Sequence, residues 1–429
     1  MKKLALYTLL CAAVLASCRK DDTTSLPVEK SYADPKQQLD SFKTVLGSAP
    51  NGWVGTLTPR DGSELFSVYF QLDNGKSEVT LYTDLDAGAA ATPSKSGFTV
   101  GITQTVNPTL SFHEGSQLAG IKLVAKRGVD TAYALRYTNG DTLVLTGNKY
   151  SDELKLVKAG AQVKTDYTAG RLETAMAAAA DFFNQPGFLA LKPGGTQAFV
   201  FFNTDNKTSG FAFVNNNSRV SAGTGYAYTL TGIALHHPVL VGNQAVSALT
   251  WDATANNFYA MTGNNKVYLE RTNVPVIPVH YMLGGEIPGQ LTLLPPSVYP
   301  LPGWTADFKT IWDDAANRFG SVGYPISKVV MDFQTGSSIL NMNIYVAGTY
   351  CKYTFKYTKT AGGVYTFVMQ PFANDTPGAN GNALKSLAVP LTSMLSANRF
   401  SLDYLDAPDG VFVSFKSADK PSIGFTGYW

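Results

Sequence analysis

The sequence predicts an α+β fold that is mostly antiparallel β, and two features of the chain support this prediction. Short runs of alternating apolar and polar residues recur, as from Phe66 to Gln71, and they are rich in aromatic and β-branched side chains. Turn sequences such as Asn139-Gly140 and Asp409-Gly410 accompany these runs. They favour hairpins, because glycine and asparagine accept positive φ readily, and hairpins join antiparallel strands.

Three segments have the apolar spacing of a helix. The first begins at Asp34-Pro35, where an N-cap residue precedes proline at the first helical position. The second covers about residues 171–184, and the third begins near Thr305. The apolar stripes of the first and third consist of Leu39, Phe42, Val45 and Leu46, and of Phe308, Ile311, Trp312, Ala315 and Phe319.

A glycine followed by an aromatic residue comes shortly after each predicted helix, at Gly52-Trp53, Gly187-Phe188 and Gly323-Tyr324. The glycines are separated by 135 and 136 positions. Two interpretations fit this spacing: three repeats of one helix plus a small antiparallel sheet, or three unrelated α+β segments. A repeat predicts that each helix packs on its own sheet and that each glycine adopts a positive φ.

The N-terminus has the parts of a secretory signal: two lysines, an apolar run and small residues before a cleavage site. Because Cys18 directly follows Leu15-Ala16-Ser17, residues 1–17 resemble a bacterial lipoprotein signal peptide. The resemblance implies cleavage before Cys18 and attachment of acyl chains such as palmitate to that cysteine. Several chains would anchor the protein firmly, because each buried methylene contributes about 0.8 kcal/mol.

Lys20, Asp21 and Asp22 follow the expected lipid site. They resemble the export signal of Bacteroidetes lipoproteins, which implies display on the outer face of the outer membrane. The alternative is a solvated charged tether, since residues 18–32 are polar and contain few apolar side chains.

The rest of the chain is expected to form three helix-plus-sheet units, over residues 33–160, 161–273 and 304–429. Residues 274–303 are interpreted as a proline-rich connection between the second and third units. Their seven prolines disfavour central strands and helices alike.

Charge and residue types narrow the possible functions. Without residues 1–17 the chain has 32 basic and 32 acidic residues, so it lacks the basic surplus typical of nucleic-acid binding. The histidines at positions 113, 236, 237 and 280 lack the spacing of a zinc site, and no phosphate-loop, dinucleotide or serine-nucleophile motif is present. Cys351 lies in an alternating run that predicts a buried strand position. These features predict no metal, no cofactor and no enzyme activity.

Trp251 and Trp429 are the candidate ligand contacts. Trp251 opens a polar turn and Trp429 ends the chain, so their indoles are candidates for stacking on a sugar or anchoring a peptide. Packing in a core or an interface is the alternative for both residues.

The block from Leu46 to Trp53, followed by alternating strands and by Leu110-Ser111-Phe112, resembles a Bacteroidetes lipoprotein family known as domain of unknown function 4302. Asp141 to Gly147 and Thr231-Gly232-Ile233 are similar to it as well. The chain departs from the family where His113-Glu114-Gly115 replaces Asp-Thr-Tyr. The resemblance implies an accessory surface protein of starch-utilisation-type uptake systems, and it supplies no catalytic residues.

These features favour a non-enzymatic surface lipoprotein that binds an oligopeptide or a glycan for an outer-membrane uptake complex. Two alternatives stay open: a surface hydrolase, and a structural or adhesive module. A pocket with two facing carboxylates, or a carboxyl group with a strongly raised pKa, would favour the hydrolase. Flat apolar patches without a pocket would favour adhesion.

Cys18→Ala is expected to abolish lipid attachment, because only this cysteine directly follows the cleavage site. The variant should remain uncleaved or leave the membrane fraction, and it should incorporate no labelled fatty acid. Normal fractionation together with normal labelling would contradict the assignment of Cys18.

Changing Lys20, Asp21 and Asp22 together to alanine is the matched control, since it leaves Cys18 in place. We expect normal lipid labelling but protection from external protease in intact cells. Unchanged protease access would show that the three charges form only a solvated tether.

Overall fold

Antiparallel sheet dominates the computed structural model, which describes residues 34–60, 64–102, 107–124, 128–285, 287–293 and 299–429. Strands account for 47% of the structure and helices for 24%, in three antiparallel sheets. The predicted α+β, mostly antiparallel class is therefore confirmed. Among the described residues, no helix combines the length and the apolar character needed to cross a bilayer.

The first unit begins with helix α1 (Pro35–Gly47) and forms a closed barrel in which each strand pairs with the next and β8 pairs with β1. Two short helices, α2 (Ala87–Ala91) and α3 (Gln117–Val124), lie between strands. The strands are β1 (Trp53–Thr58), β2 (Phe66–Asp73), β3 (Glu78–Thr83), β4 (Ser94–Ile102), β5 (Pro108–Phe112), β6 (Ala132–Asn139), β7 (Thr142–Gly147) and β8 (Glu153–Lys158).

The second unit begins with helices α4 (Ala161–Thr168) and α5 (Arg171–Phe183). Its strands are β9 (Phe188–Leu191), β10 (Ala198–Asn203), β11 (Thr208–Asn215), β12 (Ser218–Thr229), β13 (Gly232–Val241), β14 (Gln244–Asp252), β15 (Asn257–Thr262), β16 (Asn265–Tyr268) and β17 (Glu270–Thr272). Only Leu269 separates β16, which pairs with β15, from β17, which pairs with β9. One short segment therefore joins the two edges of this sheet.

The third unit also forms a ring. It contains α6 (Val279–Met282), β18 (Gln290–Leu293), α7 (Ala306–Ser321), β19 (Ile326–Gln334), β20 (Ile339–Val346), β21 (Thr349–Lys359), β22 (Val364–Met369), α8 (Thr376–Ala383), α9 (Lys385–Ala397), β23 (Arg399–Ala407), β24 (Gly410–Ser417) and β25 (Gly424–Gly427). Strand β18 pairs with β19, and Thr292 exchanges two backbone hydrogen bonds with Tyr428, just after β25. The two edges of this sheet thus meet at β18.

In all three units a turn with a glycine connects a helix to a following strand. Gly52, Gly187 and Gly323 have φ values of 84°, 105° and 82°, as the repeat interpretation predicts. Phe42 and Leu46 are buried in the core of the first barrel, whereas Leu39 is only partly buried. Side chains of the α7 stripe lie in the core of the third unit in the same way; they are Phe308, Trp312, Ala315 and Phe319, with Ile311 partly buried against them.

Strand β18 is where the third unit differs from the other two. It precedes its helix in the chain, whereas β8 and β16–β17 complete their rings after all the other strands. It also lies within residues 274–303, whose prolines disfavour central strands and helices, and the short helix α6 lies there too. The strand forms because Pro288 and Pro295 flank its four residues without entering it, so no ladder hydrogen bond is lost.

Side chains on the outer faces of the strands join the units. Val68 and Phe70 point into the first barrel, while Tyr69 between them belongs to the core of the second unit. Phe199 and Ala212, on strands of the second unit, belong in the same way to the core of the third. Each junction therefore continues a hydrophobic core, because alternate residues of one strand serve two units.

Gly52→Ala is expected to destabilise the protein more than Gly323→Ala, although both glycines have nearly the same φ. The left-handed backbone alone costs an alanine about 1–2 kcal/mol. At Gly52 a Cβ atom would also lie 2.5 Å from the carbonyl oxygen of Phe70, whereas nothing lies within 4 Å at Gly323. Urea unfolding of both variants measures the difference, and equal losses would contradict the role of this close approach.

Candidate functional site

Asp84 connects the first two units through a fully buried carboxylate. The residue directly follows β3, and its Oδ1 accepts a hydrogen bond of 2.8 Å from the backbone N–H of Ser67. Its Oδ2 accepts hydrogen bonds from the second unit: 2.8 Å from the backbone N–H of Tyr228 and 3.0 Å from Nζ of Lys207. One side chain thus binds donors from both sides of the junction.

Lys207 supplies the positive charge at this junction. It lies in the turn between β10 and β11, and its Nζ also donates to the carbonyl oxygen of Leu65 at 3.0 Å. The same Nζ lies 4.0 Å from the centre of the Phe66 ring, a cation–π distance. Burial lowers the pKa of Lys207, while the charge and hydrogen bond of Asp84 act in the opposite direction. The ammonium group is therefore held by a carboxylate, a carbonyl and an aromatic face.

Three tyrosines form a second contact across the junction. The rings of Tyr69 in β2 and Tyr167 in α4 stack with 4.5 Å between their centres, and Tyr82 lies 5.9 Å from Tyr167. The hydroxyl of Tyr69 donates to the carbonyl oxygen of Asn51 at 2.8 Å, so the ring is held in place from its own unit. Burial is the main cause that raises the pKa of Tyr69 to about 12.

A cleft opens beside Asp84 and Lys207, with a volume of about 470 Å³. We call it the junction cleft. Its apolar lining consists of Leu65, Phe66, Leu85, Met176 and Ala180, and its polar lining of Glu64, Asp84, Asp86, Thr204, Asp205, Asn206, Lys207 and Tyr228. Four carboxylates and one ammonium give these lining residues a formal net charge of −3.

Asp86 and Asp205 are the exposed carboxylates of the junction cleft. Asp86 is held at the start of α2, where its Oδ1 accepts the N–H of Ala89 at 2.8 Å as a helix N-cap. Asp205 lies in the turn between β10 and β11, and its N–H donates to the side chain of Asn203 at 3.0 Å. Both positions are therefore set by local hydrogen bonds.

A second, shallower groove of about 620 Å³ lies on the outer face of the second unit and reaches Gly285. The ring of Phe201 covers Gly210, where a Cβ atom would lie 2.1 Å from it, and 45% of Phe201 is exposed. Gly210 pairs with Gly223 on the neighbouring strand, so the surface is flat there. The groove offers one exposed aromatic ring, backbone and the side chain of Arg219, and its lining has fewer charged groups than that of the junction cleft.

Two buried carboxylates in the first barrel were not predicted from the sequence. Asp152 is fully buried, and its Oδ2 accepts the hydroxyl of Tyr133 at 2.6 Å. Asp130 accepts the N–H groups of Lys149 and Tyr150 at 2.8 and 2.7 Å. Burial raises the pKa of Asp152 to about 6, and the charge of Asp130 raises it further, while hydrogen bonds oppose this.

The two acids hold the segment between β7 and β8, and they do not line the junction cleft. Gly147 makes room for them, since a Cβ atom there would lie 2.1 Å from a carboxylate oxygen of Asp152. The sequence carries no spacing signal for this pair, because Asp130 and Asp152 meet only when β6, β7 and β8 pair in succession.

The two predicted ligand-binding tryptophans are partly buried. The Trp251 ring packs 4.9 Å from that of Phe258 in the second core, and the Trp429 ring lies 6.3 Å from that of Tyr404 beside the third. Neither indole lines the junction cleft or the groove at Phe201. That Trp251 and Trp429 contact a ligand remains a prediction.

Cys18, Lys20, Asp21 and Asp22 lie outside the described residues. Cys351 is fully buried in β21, as its alternating neighbours predict, and burial raises the pKa of its thiol. Within the described ranges, no three His, Cys, Asp or Glu side chains come together as a metal site.

The fold and the junction cleft define a class: an antiparallel α+β protein built from rings of consecutive strands, with a ligand-sized cavity where two rings meet. Residues 35–253 match the domain of unknown function DUF4302, and the chain belongs to that family. The predicted family membership is thereby confirmed. Among curated proteins, no relative matches this sequence.

Two solved structures show a distant likeness to this chain. A putative DNA polymerase III beta subunit from Eubacterium rectale ATCC 33656 is 8% identical, with a TM-score of 0.14, over 91% of this chain and 96% of that one. The DNA polymerase III beta subunit from Thermotoga maritima is 9% identical, with a TM-score of 0.11, over 91% and 96%. TM-scores this low carry no argument about fold or function.

Lys207→Met is expected to destabilise the protein by about 3–5 kcal/mol, because it leaves the buried carboxylate of Asp84 without its counter-charge. Arg318→Met is the matched control: it removes a comparably short ion pair with Asp314 whose side chains are 45% and 49% exposed. Such exposed pairs contribute little to stability, because water screens the two charges. Thermal unfolding compares the two variants, and similar small losses would show that Asp84 does not depend on Lys207.

Asp152→Asn is expected to change how stability depends on pH. The pKa of Asp152 is raised to about 6 in the folded protein, so the folded state favours the protonated carboxyl group. Its contribution to stability is complete below the unfolded pKa of about 3.9 and is lost as the pH rises through 6. The melting temperature of the wild type should therefore fall relative to that of Asp152→Asn between pH 4.5 and about pH 7.5. If the melting temperatures of the two proteins changed with pH in the same way, the raised pKa of Asp152 would be contradicted.

Proposed function

We propose that the protein is anchored by a lipid to the outer surface of the outer membrane, where it binds a nutrient for an uptake complex without changing it chemically. Cys18 and the following Lys20-Asp21-Asp22 support the anchor and its display. The resemblance to Bacteroidetes surface lipoproteins supports the link to nutrient uptake. The junction cleft is the observation that carries the binding role.

The junction cleft has the character of a small-molecule site. Its volume of about 470 Å³ lies in the range of about 300–1,000 Å³ that is typical of ligand pockets. Apolar side chains from both units alternate with polar groups whose positions are held by hydrogen bonds. Such a cavity accommodates a short segment of an oligopeptide or of a glycan.

The alternative function is a surface hydrolase that acts on a peptide or a glycan. The carboxyl group with a raised pKa, Asp152, is buried in the first barrel and does not line the junction cleft. It therefore has a structural role in holding the neighbouring segment. A hydrolase would have to use the carboxylates of the cleft itself, and product analysis in the binding experiment separates the two functions.

Binding in the junction cleft is tested by filling it. Ala180→Trp places an indole in the lining of the cleft, and Ala177→Trp places the same group on the exposed side of the same helix. We expect the detergent-solubilised wild type and Ala177→Trp to bind members of a defined set of oligopeptides and oligosaccharides in calorimetry. Ala180→Trp should not bind them.

Mass spectrometry of the same mixtures should recover every probe unchanged. Failure of the wild type to bind any probe, or equal binding by Ala180→Trp, would contradict the proposed function. Cleaved probes that disappear with Ala180→Trp would favour the hydrolase.

A further inference from the structure

We infer that the junction cleft selects peptides that carry a lysine or arginine side chain, an inference that rests on the proposed function and specifies its ligand. The occupant is a basic side chain whose aliphatic stem lies on the apolar wall and whose charged end meets the carboxylates. Three features of the cleft support this choice: its charge, its apolar wall and the way it already holds one ammonium group.

The charge of the cleft favours a cation. Its lining carries a formal net charge of −3, whereas the chain without residues 1–17 is nearly neutral. Negative charge is therefore concentrated at the cleft, and a concave surface with apolar walls strengthens its field. An acidic peptide or an anionic sugar would be repelled by the same charges.

The apolar wall suits the stem of a basic side chain. Met176 and Ala180 line the cleft from α5, and Leu85 lines it from the first unit. Long basic side chains bury their methylene groups on such surfaces while the charged end stays near polar groups. The exposed carboxylates of Asp86 and Asp205 border this wall on both sides of the junction.

Lys207 shows that the cleft stabilises an ammonium group. Its Nζ is held by Asp84, by the carbonyl oxygen of Leu65 and by the face of Phe66. A ligand ammonium or guanidinium would meet carboxylates in the same way at Asp86 and Asp205. A neutral glycan would make fewer favourable contacts in the cleft. The two aromatic residues of the lining, Phe66 and Tyr228, are each only 4% exposed and offer no open ring face for a sugar.

The test compares blocked tripeptides that differ in one side chain, so that terminal charges do not contribute. Acetyl-Ala-Lys-Ala-amide and its arginine counterpart should bind the detergent-solubilised full mature protein about tenfold more tightly than the methionine counterpart, which has a similar shape without the charge. The glutamate peptide and maltotriose are the remaining probes. Added salt should reduce the preference for lysine, because it screens the carboxylates.

Two variants locate the effect. Asp86→Asn combined with Asp205→Asn removes two exposed charges of the cleft, and asparagine preserves the N-cap of α2. We expect this double variant to lose about tenfold in affinity for the lysine peptide. Asp181→Asn is the control, because Asp181 is exposed on α5 and does not line the cleft.

The outcomes separate the two proposals. Equal affinity for the lysine and methionine peptides, or preference for maltotriose that Ala180→Trp abolishes, would overturn the inference and leave the proposed function intact. Unchanged lysine affinity in the double variant would also overturn it. Absence of binding by every probe would overturn the proposed function itself.

Discussion

The placement of the first two units depends on how the buried charge of Asp84 is compensated. A carboxylate removed from water loses several kcal/mol of solvation unless donors replace the water. Ser67 supplies one donor from the same unit, and Lys207 and Tyr228 supply two from the other. A shift of one unit against the other would first break the hydrogen bonds from Lys207 and Tyr228. The carboxylate of Asp84 would then stay buried without them. The hydrogen bonds and the ion pair of Asp84 therefore fix the position of one unit on the other. The tyrosines beside it add apolar contact, which depends less on direction.

Side chains take part in the contacts between the units, because the three sheets share no hydrogen-bonded strands among the described residues. The first barrel has no free edge strand, and the other two sheets bring their edges together at Leu269 and at β18. Outward-facing residues such as Tyr69 and Phe199 supply apolar contacts between the units, and their neighbours along the strand fill the interior. Asp84 adds hydrogen bonds from Lys207 and from the backbone N–H of Tyr228. A cleft forms at such a junction because two convex surfaces touch over only part of their area.

The sequence predicted the features that depend on local pattern. Alternation predicted the antiparallel class, and the glycine after each helix predicted a positive φ, because both follow from the conformations of a few neighbouring residues. The sequence does not predict strand β18, because the prolines of residues 274–303 disfavour a central strand, although the four residues of the strand contain none. The junction cleft could not be predicted, since Asp84 and Lys207 are 123 positions apart and neither lies in a motif. Their pairing depends on how the first two units pack against each other.

The family match and the junction cleft lie in the same part of the chain. Residues 35–253 match DUF4302, and every residue that lines the junction cleft lies between Glu64 and Tyr228. The third unit lies beyond the match, and its core reaches the second unit through Phe199 and Ala212, on the outer faces of two strands. Strand β10, which carries Phe199, leads into the turn that carries Asp205 and Lys207. The second unit is therefore held on one side by the third unit and on the other by Asp84. Because its strand β10 is anchored by the third core, the third unit contributes to the shape of a cleft that it does not line.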